Sequence, residues 1–267
     1  MSAIARWDTF LAQIEQRHRG VLADGEAEGR AVVATVAAGG DPAPLSHRLA
    51  AVCGRLSDLE RMIEDTWHAK ADDAICGEGH TQSTRTRARE RGEALRHALE
   101  DARDELGPRL HAELARARYA HAIAAHRLVT CPACGASGPA PIAFRAIELR
   151  CGCGATVPFE PGELMRSVAA IGTHALAQEA VVGEWRAMRA TERALHRHRP
   201  PRPLEPVVEH ERAQIAYWWS YLANRAQFEP ELGRDLAMEV RSRMEHWYRA
   251  SAEFEPAWVA AGRPRAI

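Results

Sequence analysis

Four of the six cysteines in this 267-residue chain have a spacing with defined chemistry: Cys131-Pro-Ala-Cys134-Gly, then Cys151-Gly-Cys153-Gly after sixteen intervening residues. Two residues between Cys131 and Cys134 let one tight turn present both sulfurs to a single ion. The glycine after each pair permits the backbone conformation with which the chain leaves such a turn. Four thiolates are what Zn²⁺ takes in a tetrahedral site, and a site closed by four protein ligands leaves no position for substrate. The expected chemistry is metal binding with a structural outcome.

Between the pairs, the stretch Ile142-Ala-Phe144-Arg145-Ala-Ile147-Glu148-Leu149-Arg150 can supply two short strands, and Thr156-Val157-Pro158-Phe159 a third. Over residues 129–160 the chain resembles the zinc-ribbon superfamily, in which two knuckles on facing hairpins share one zinc. The resemblance implies Cys131, Cys134, Cys151 and Cys153 as ligands and Zn²⁺ as the cofactor. One residue rather than two separates the second pair, which asks for tighter geometry at Cys153. Thirty-odd residues are too few to bury a core, so an ion would supply the missing folding free energy. A ribbon that grips nucleic acid needs cationic and aromatic side chains. Arg145 and Arg150 are offset here by Glu148 and Glu160, so a fold staple or a protein-contact tip is expected.

Other constellations are thinner. Glu15-Gln-Arg-His18 is half of a di-iron bundle pattern with no second half, and His18 falls on an apolar seam where a hydrogen-bonded core histidine is expected. His68, Cys76 and His80 flank one loop without a recognised ligand spacing, and Cys53 beside Val52 is expected to pack. No HExxH, GxSxG or phosphate-cradling glycine loop occurs, so no catalytic residue is assigned and a non-enzymatic protein is expected. Arg186, Arg189, Arg193, Arg197, Arg199 and Arg202 form one basic cluster with Glu192 the acid among them. It reads as a helix end favouring the C-terminal dipole, or as a contact for an anion or acidic partner. Tyr217, Trp218 and Trp219 cannot all face one way on a helix, so part of this run is expected at a partner surface.

The elements that must position these residues are long helices. Ile4, Trp7, Leu11, Ile14, His18 and Val21 follow a three-four spacing, as do Leu45, Leu49, Val52, Leu56, Leu59 and Ile63. A third seam runs Leu95, Leu99, Ala102, Leu106, Leu110, Leu114 and Ala117 across Pro108, which is expected to kink the helix before it ends near Leu128. Gly20, Gly25 and Gly29 are expected to weaken or break the first helix. Gly39-Gly-Asp-Pro42 marks a turn, and Cys76-Gly-Glu-Gly79 a second. Leu164, Val168, Ile171, Val182, Trp185 and Met188 mark a further long helix ending near His198. Phe159-Glu-Pro161, Phe228-Glu-Pro230 and Phe254-Glu-Pro256 repeat a helix-start pattern, an aromatic outside and proline opening the first turn.

The fold expected is mainly α: long-helix, coiled-coil-like hairpins over 1–128, a small β zinc ribbon inserted at 129–160, and a returning bundle helix at 161–198. A proline-rich linker at 199–206 and an aromatic-rich helical domain at 207–267 complete it. That last stretch holds nine of the sixteen aromatic residues. The seams equally allow pairing between chains, a homo-oligomer. A formal net charge of −1 offers no general attraction to nucleic acid or an acidic membrane. The chain has one lysine, Lys70, among 35 basic residues. No signal pattern or membrane-length apolar run is read, and cysteines in metal spacing suit a reducing compartment, so a cytoplasmic protein is expected. The function expected is interaction or assembly through protein partners; the alternative is nucleic-acid association through the ribbon and the Arg186–Arg202 cluster.

Overall fold

A computed structural model describes residues 1–125, 128–139, 143, 146–198, 203–229 and 232–250. The chain is mainly α-helical with a small β region inserted, and it divides into two compact units, Met1–Ala117 and Arg118–Ile267.

The first unit is built from α1 (Ala3–Ala37), α2 (Ala43–Thr66), a short α3 (Asp72–Gly77) and the greater part of α4 (Gln82–Ala125). Gly39, at φ 94°, makes the turn out of α1, and Pro44 lies in the first turn of α2, where a missing N–H costs nothing. The three long helices run up, down and up. The Trp7 indole N–H donates to the Ala88 carbonyl at 2.9 Å, Arg91 bonds Asp8 at 2.7 Å, and Arg30 lies 3.7 Å from Glu113, so α1 and α4 are parallel. Two apolar clusters fill the unit. One gathers Trp7, Leu11 and Ile14 with Ile63, Trp67, Ile75, Ala88 and Leu99. The other gathers Val32 and Val36 with Leu45, Leu49, Val52, Leu56, Leu106 and Leu110.

One expectation changes here. The helix α1 is unbroken through Gly25 and Gly29, because these glycines are sites of close helix approach. A Cβ at Gly25 would stand 2.6 Å from Val52 Cγ1, and one at Gly29 would strike Leu110 Cδ1. Helix α4 continues through Pro108, as the uninterrupted seam predicts, and runs to Ala125, while Leu128 opens a strand. Between α2 and α3, Trp67–Ala71 forms a π-helical turn that spacing alone does not signal.

The second unit holds two antiparallel hairpins, β1 (Leu128–Thr130) with β2 (Ser137–Pro139) and β3 (Ile147–Arg150) with β4 (Thr156–Phe159). Val157 and Phe159 on β4 turn inward, and Pro158 sits between them on the outer face. Helices α5 (Gly162–Ala180), α6 (Val182–His196), α7 (Leu204–Ala226) and α8 (Leu236–Ala250) follow, with a 3₁₀ turn at Leu232–Asp235. Pro161 caps α5, as the first helix-start pattern predicts. Pro230 and the third copy lie outside the described residues, as do Ile142, Phe144 and Arg145.

The region 161–198, expected as one returning helix of the N-terminal bundle, is two helices meeting at buried Val181. Side chains before and after the proline-rich segment share one core: Ala177, Val181 and Leu195 pack with Val207, Tyr217, Tyr221, Leu222, Val240, Met244 and Tyr248. The aromatic residues of α7 and α8 therefore do not close on a core of their own. They need the apolar faces of α5 and α6 to bury their area. The side chains of Leu164, Val168 and Ile171 lie outside the described ones.

Candidate metal centre

The two hairpins each carry one cysteine pair in the turn between their strands. In the first, the Cys131 N–H donates to the Ala136 carbonyl at 2.8 Å and the Gly135 N–H returns to the Cys131 carbonyl at 2.9 Å. In the second, the Cys151 N–H bonds the Ala155 carbonyl at 2.9 Å and the Gly154 N–H bonds the Cys151 carbonyl at 2.9 Å. The second turn does the same work with one residue fewer, which is how a C-x-C pair matches a C-x₂-C pair. Both turns leave through a glycine in the left-handed region, Gly135 at φ 75° and Gly154 at φ 88°.

All four sulfurs lie within 4.8 Å of one another, and none is in a disulfide. Cys131 Sγ is 3.8 Å from Cys153 Sγ, and Cys134 Sγ is 3.6 Å from Cys151 Sγ. A tetrahedron of sulfurs about 2.3 Å from a central ion has edges of roughly 3.8 Å, so the set fits one four-coordinate metal. Cys153, the residue with the tighter spacing, is a full member of the cluster. Cys131 is buried and Cys151 half-buried, while Cys134 and Cys153 are exposed.

The backbone N–H groups of Cys134 and Ala133 pull the Cys131 thiol down to about 7, helped by the neighbouring sulfurs. Against the pull of the Ala136 N–H, the sulfurs of Cys151, Cys153 and Cys131 push Cys134 up to about 12. Four thiolates this close repel one another, and a bound cation removes that conflict.

The remaining candidates separate. The basic residues of α6 are partly engaged: Arg189 bonds Glu192 at 2.8 Å and lies 6.0 Å from the Trp185 ring centre. Arg186 and Arg197 are exposed, Arg193 is half-buried, and Arg199 and Arg202 lie outside the described residues. Tyr217 is not a partner surface. It is buried in the shared core beside Tyr221, and burial pushes its hydroxyl up to about 12. Trp218 is half-buried with the Arg243 guanidinium over its ring at 5.4 Å, which leaves Trp219, 41 % exposed, as the outward member of the run. Cys76 faces Arg85, and His80 faces Glu78; among the described residues these side chains do not join a three-ligand group. The groove beside the π turn, lined by Trp7, Trp67, His68 and Gly92, measures about 50 Å³. Small-molecule sites start near 300 Å³.

One polar cluster escapes the sequence reading. His18 is buried, as its seam position predicts, but its partner is Glu60, with His18 Nε2 3.3 Å from Glu60 Oε1. Arg103 on α4 also bonds Glu60 and donates to Ser57 Oγ at 2.7 Å. Spacing alone assigns Leu59 and Ala102 to these seam positions; Glu60 and Arg103, each one residue further on, take them. Glu15 pairs with Arg19 on its own helix at 3.1 Å and takes no part in the cluster.

No protein-family model, curated protein or solved structure matches this chain. Among the described residues no helix is long and apolar enough to cross a membrane.

Proposed function

We propose that this chain is a non-enzymatic, zinc-stabilised helical protein that acts by holding protein partners together. The observation that carries the reading is the closure of four sulfurs from two facing turns on one point. Tetrahedral four-sulfur sites suit Zn²⁺ or iron, and a structural zinc needs no redox partner. Cys131, Cys134, Cys151 and Cys153 would hold the ion, which supplies folding free energy that the short hairpins lack.

Protein contact is supported by what surrounds the sulfurs. Pro132, Ala133, Gly135, Ala136, Gly152 and Gly154 are uncharged and exposed, a surface with little to offer a phosphate backbone. Exposed Trp219 on α7 adds an aromatic side chain of the kind enriched where proteins meet.

The test compares the full chain with Cys151→Ser by metal analysis, circular dichroism and affinity capture. The wild type is expected to carry about one zinc per chain, and the variant to lose it while keeping its helices. A defined protein partner retained only by the wild type supports the proposal. A metal-free wild type, or nuclease-sensitive material recovered equally by both forms, overturns it.

A further inference from the structure

The first unit buries polar side chains at one level along its length. His18 is 1 % and Glu60 3 % exposed, and among the described residues of this unit they are the buried polar or charged side chains. Arg103, whose side chain is 20 % exposed, completes the layer from the third helix. Each long helix thus gives one member: an imidazole from α1, a carboxylate from α2, a guanidinium from α4. Ser57 and Asp104 take further hydrogen bonds from Arg103, so the donors of the cation are widely matched. Toward the start of α1 the core is Trp7, Leu11 and Ile14 with their partners. Toward its end the core is Val32 and Val36 with theirs. The polar layer separates these two apolar clusters.

Leucine, valine and isoleucine discriminate weakly between alignments, because an apolar side chain displaced along a bundle meets another apolar side chain. A paired charge discriminates strongly, since displacement leaves each member buried without its partner. If α2 moved by seven residues, Cys53 or Trp67 would face His18 and Arg103. Glu60 would enter apolar surroundings in either direction, and the Arg103 guanidinium would keep Asp104 on its own helix but lose its carboxylate from α2. Association of these helices with a second chain in another alignment meets the same penalty.

We propose that His18, Glu60 and Arg103 form a register lock, which selects one alignment of α1, α2 and α4 over displaced alignments, whether these form within one chain or between two copies. The Trp7 indole supplies a local readout: its N–H donates to Ala88 on α4, and its ring packs with Ile63 of α2 and lies 5.3 Å from the Trp67 ring, so displacement of either helix changes its surroundings.

Two variants of the full chain test the proposal: an apolar layer, His18→Leu with Glu60→Leu and Arg103→Leu, and an exchanged pair, Glu60→Arg with Arg103→Glu. In the exchanged pair a neutral His18 can still accept from the new guanidinium. Each is followed by ¹⁵N indole NMR, with the Trp7 signal assigned through Trp7→Phe, and by light scattering after size exclusion. The wild type and the exchanged pair are expected to share one Trp7 resonance and one particle mass. The apolar layer is expected to keep its helical signal but to split the Trp7 resonance or raise the mass. A single Trp7 resonance at wild-type mass in the apolar variant overturns the lock. So does outright loss of its helical signal, which would make the layer a source of stability and not of choice, or heterogeneity of the exchanged pair equal to that of the apolar layer.

Discussion

The Glu78 carboxylate accepts the backbone N–H of Ala3 on both of its oxygens, each at 2.8 Å, across 75 positions of sequence. Ala3 opens α1, where the first N–H groups have no partner within the helix. Glu78 therefore caps a helix it does not belong to, and Arg6 at 3.2 Å and His80 at 3.4 Å complete the clasp.

That clasp makes stability depend on pH. The Ala3 N–H, opposed by burial and aided by Arg6 and His80, holds the Glu78 carboxyl below its ordinary 4.5. A carboxylate whose folded value is depressed stabilises the fold above the unfolded value and loses that effect as pH falls through the folded one. Glu78→Gln should lower the melting temperature at neutral pH, with the gap to wild type closing below about 4.5. Melting curves across pH 2 to 7 check this; a gap that stays constant into acid would remove the ionised carboxylate from the explanation.

Gly25 and Gly20 should respond in opposite directions to alanine. Alanine gains roughly 1 kcal/mol in helix propensity over glycine at an interior position. At exposed Gly20 nothing lies within 4 Å of the added methyl, so the gain should appear as stabilisation. At Gly25 the methyl meets Val52, whose branched side chain is buried and stiff. Overpacking of about 1–3 kcal/mol should then outweigh the propensity and destabilise the chain. Denaturant unfolding of both single variants decides it, and equal stabilisation would mean the helices separate freely at this level.

The metal centre should depend on Gly154 far more than on Gly152. Gly154 occupies φ 88°, where an alanine is strained by roughly 1–2 kcal/mol. At Gly152 nothing lies within 4 Å of an added Cβ, and φ is not in the left-handed region. Gly154→Ala should weaken zinc binding on the order of tenfold, and Gly152→Ala hardly at all. Competition against a chromophoric chelator measures both, and matching losses would show that the turn conformation does not set the affinity.

Glu60→Ala should be among the most destabilising single changes in the first unit. It leaves His18 without its carboxylate and Arg103 with Ser57 and Asp104 alone, and loss of one partner from a fully buried pair costs about 3–5 kcal/mol, an upper figure for this layer. Equilibrium unfolding in urea should show the drop, and a loss near 0.5 kcal/mol would indicate that water reaches the layer.

Much of this fold is legible in the residues. The seam through Leu45, Leu49, Val52 and Leu56 becomes buried α2, and the cysteine spacings become one cluster, because both signals are local and periodic. What spacing does not carry is the identity of the partner. Gly25 and Gly29 look like helix breakers until Val52 and Leu110 are placed against them. Glu60 and Arg103 look like surface charges beside the seam members Leu59 and Ala102 until the third helix brings them together. The prolines at 200–206 look like a boundary between cores, yet Leu195 and Val207 pack in the same one. In the metal centre the cysteine types and spacing are readable, and the two hydrogen-bonded turns that equalise C-x₂-C and C-x-C are not, because they rest on backbone geometry at Gly135 and Gly154.

The π-helical turn has a practical corollary for labelling chemistry. Lys70, the sole lysine of the chain, lies exposed within Trp67–Ala71, three residues after buried Trp67. With the terminal amine chemically blocked beforehand, an amine-reactive dye would mark one address, next to an indole able to quench it. Unwinding of that single turn would then be visible by fluorescence in the otherwise native chain.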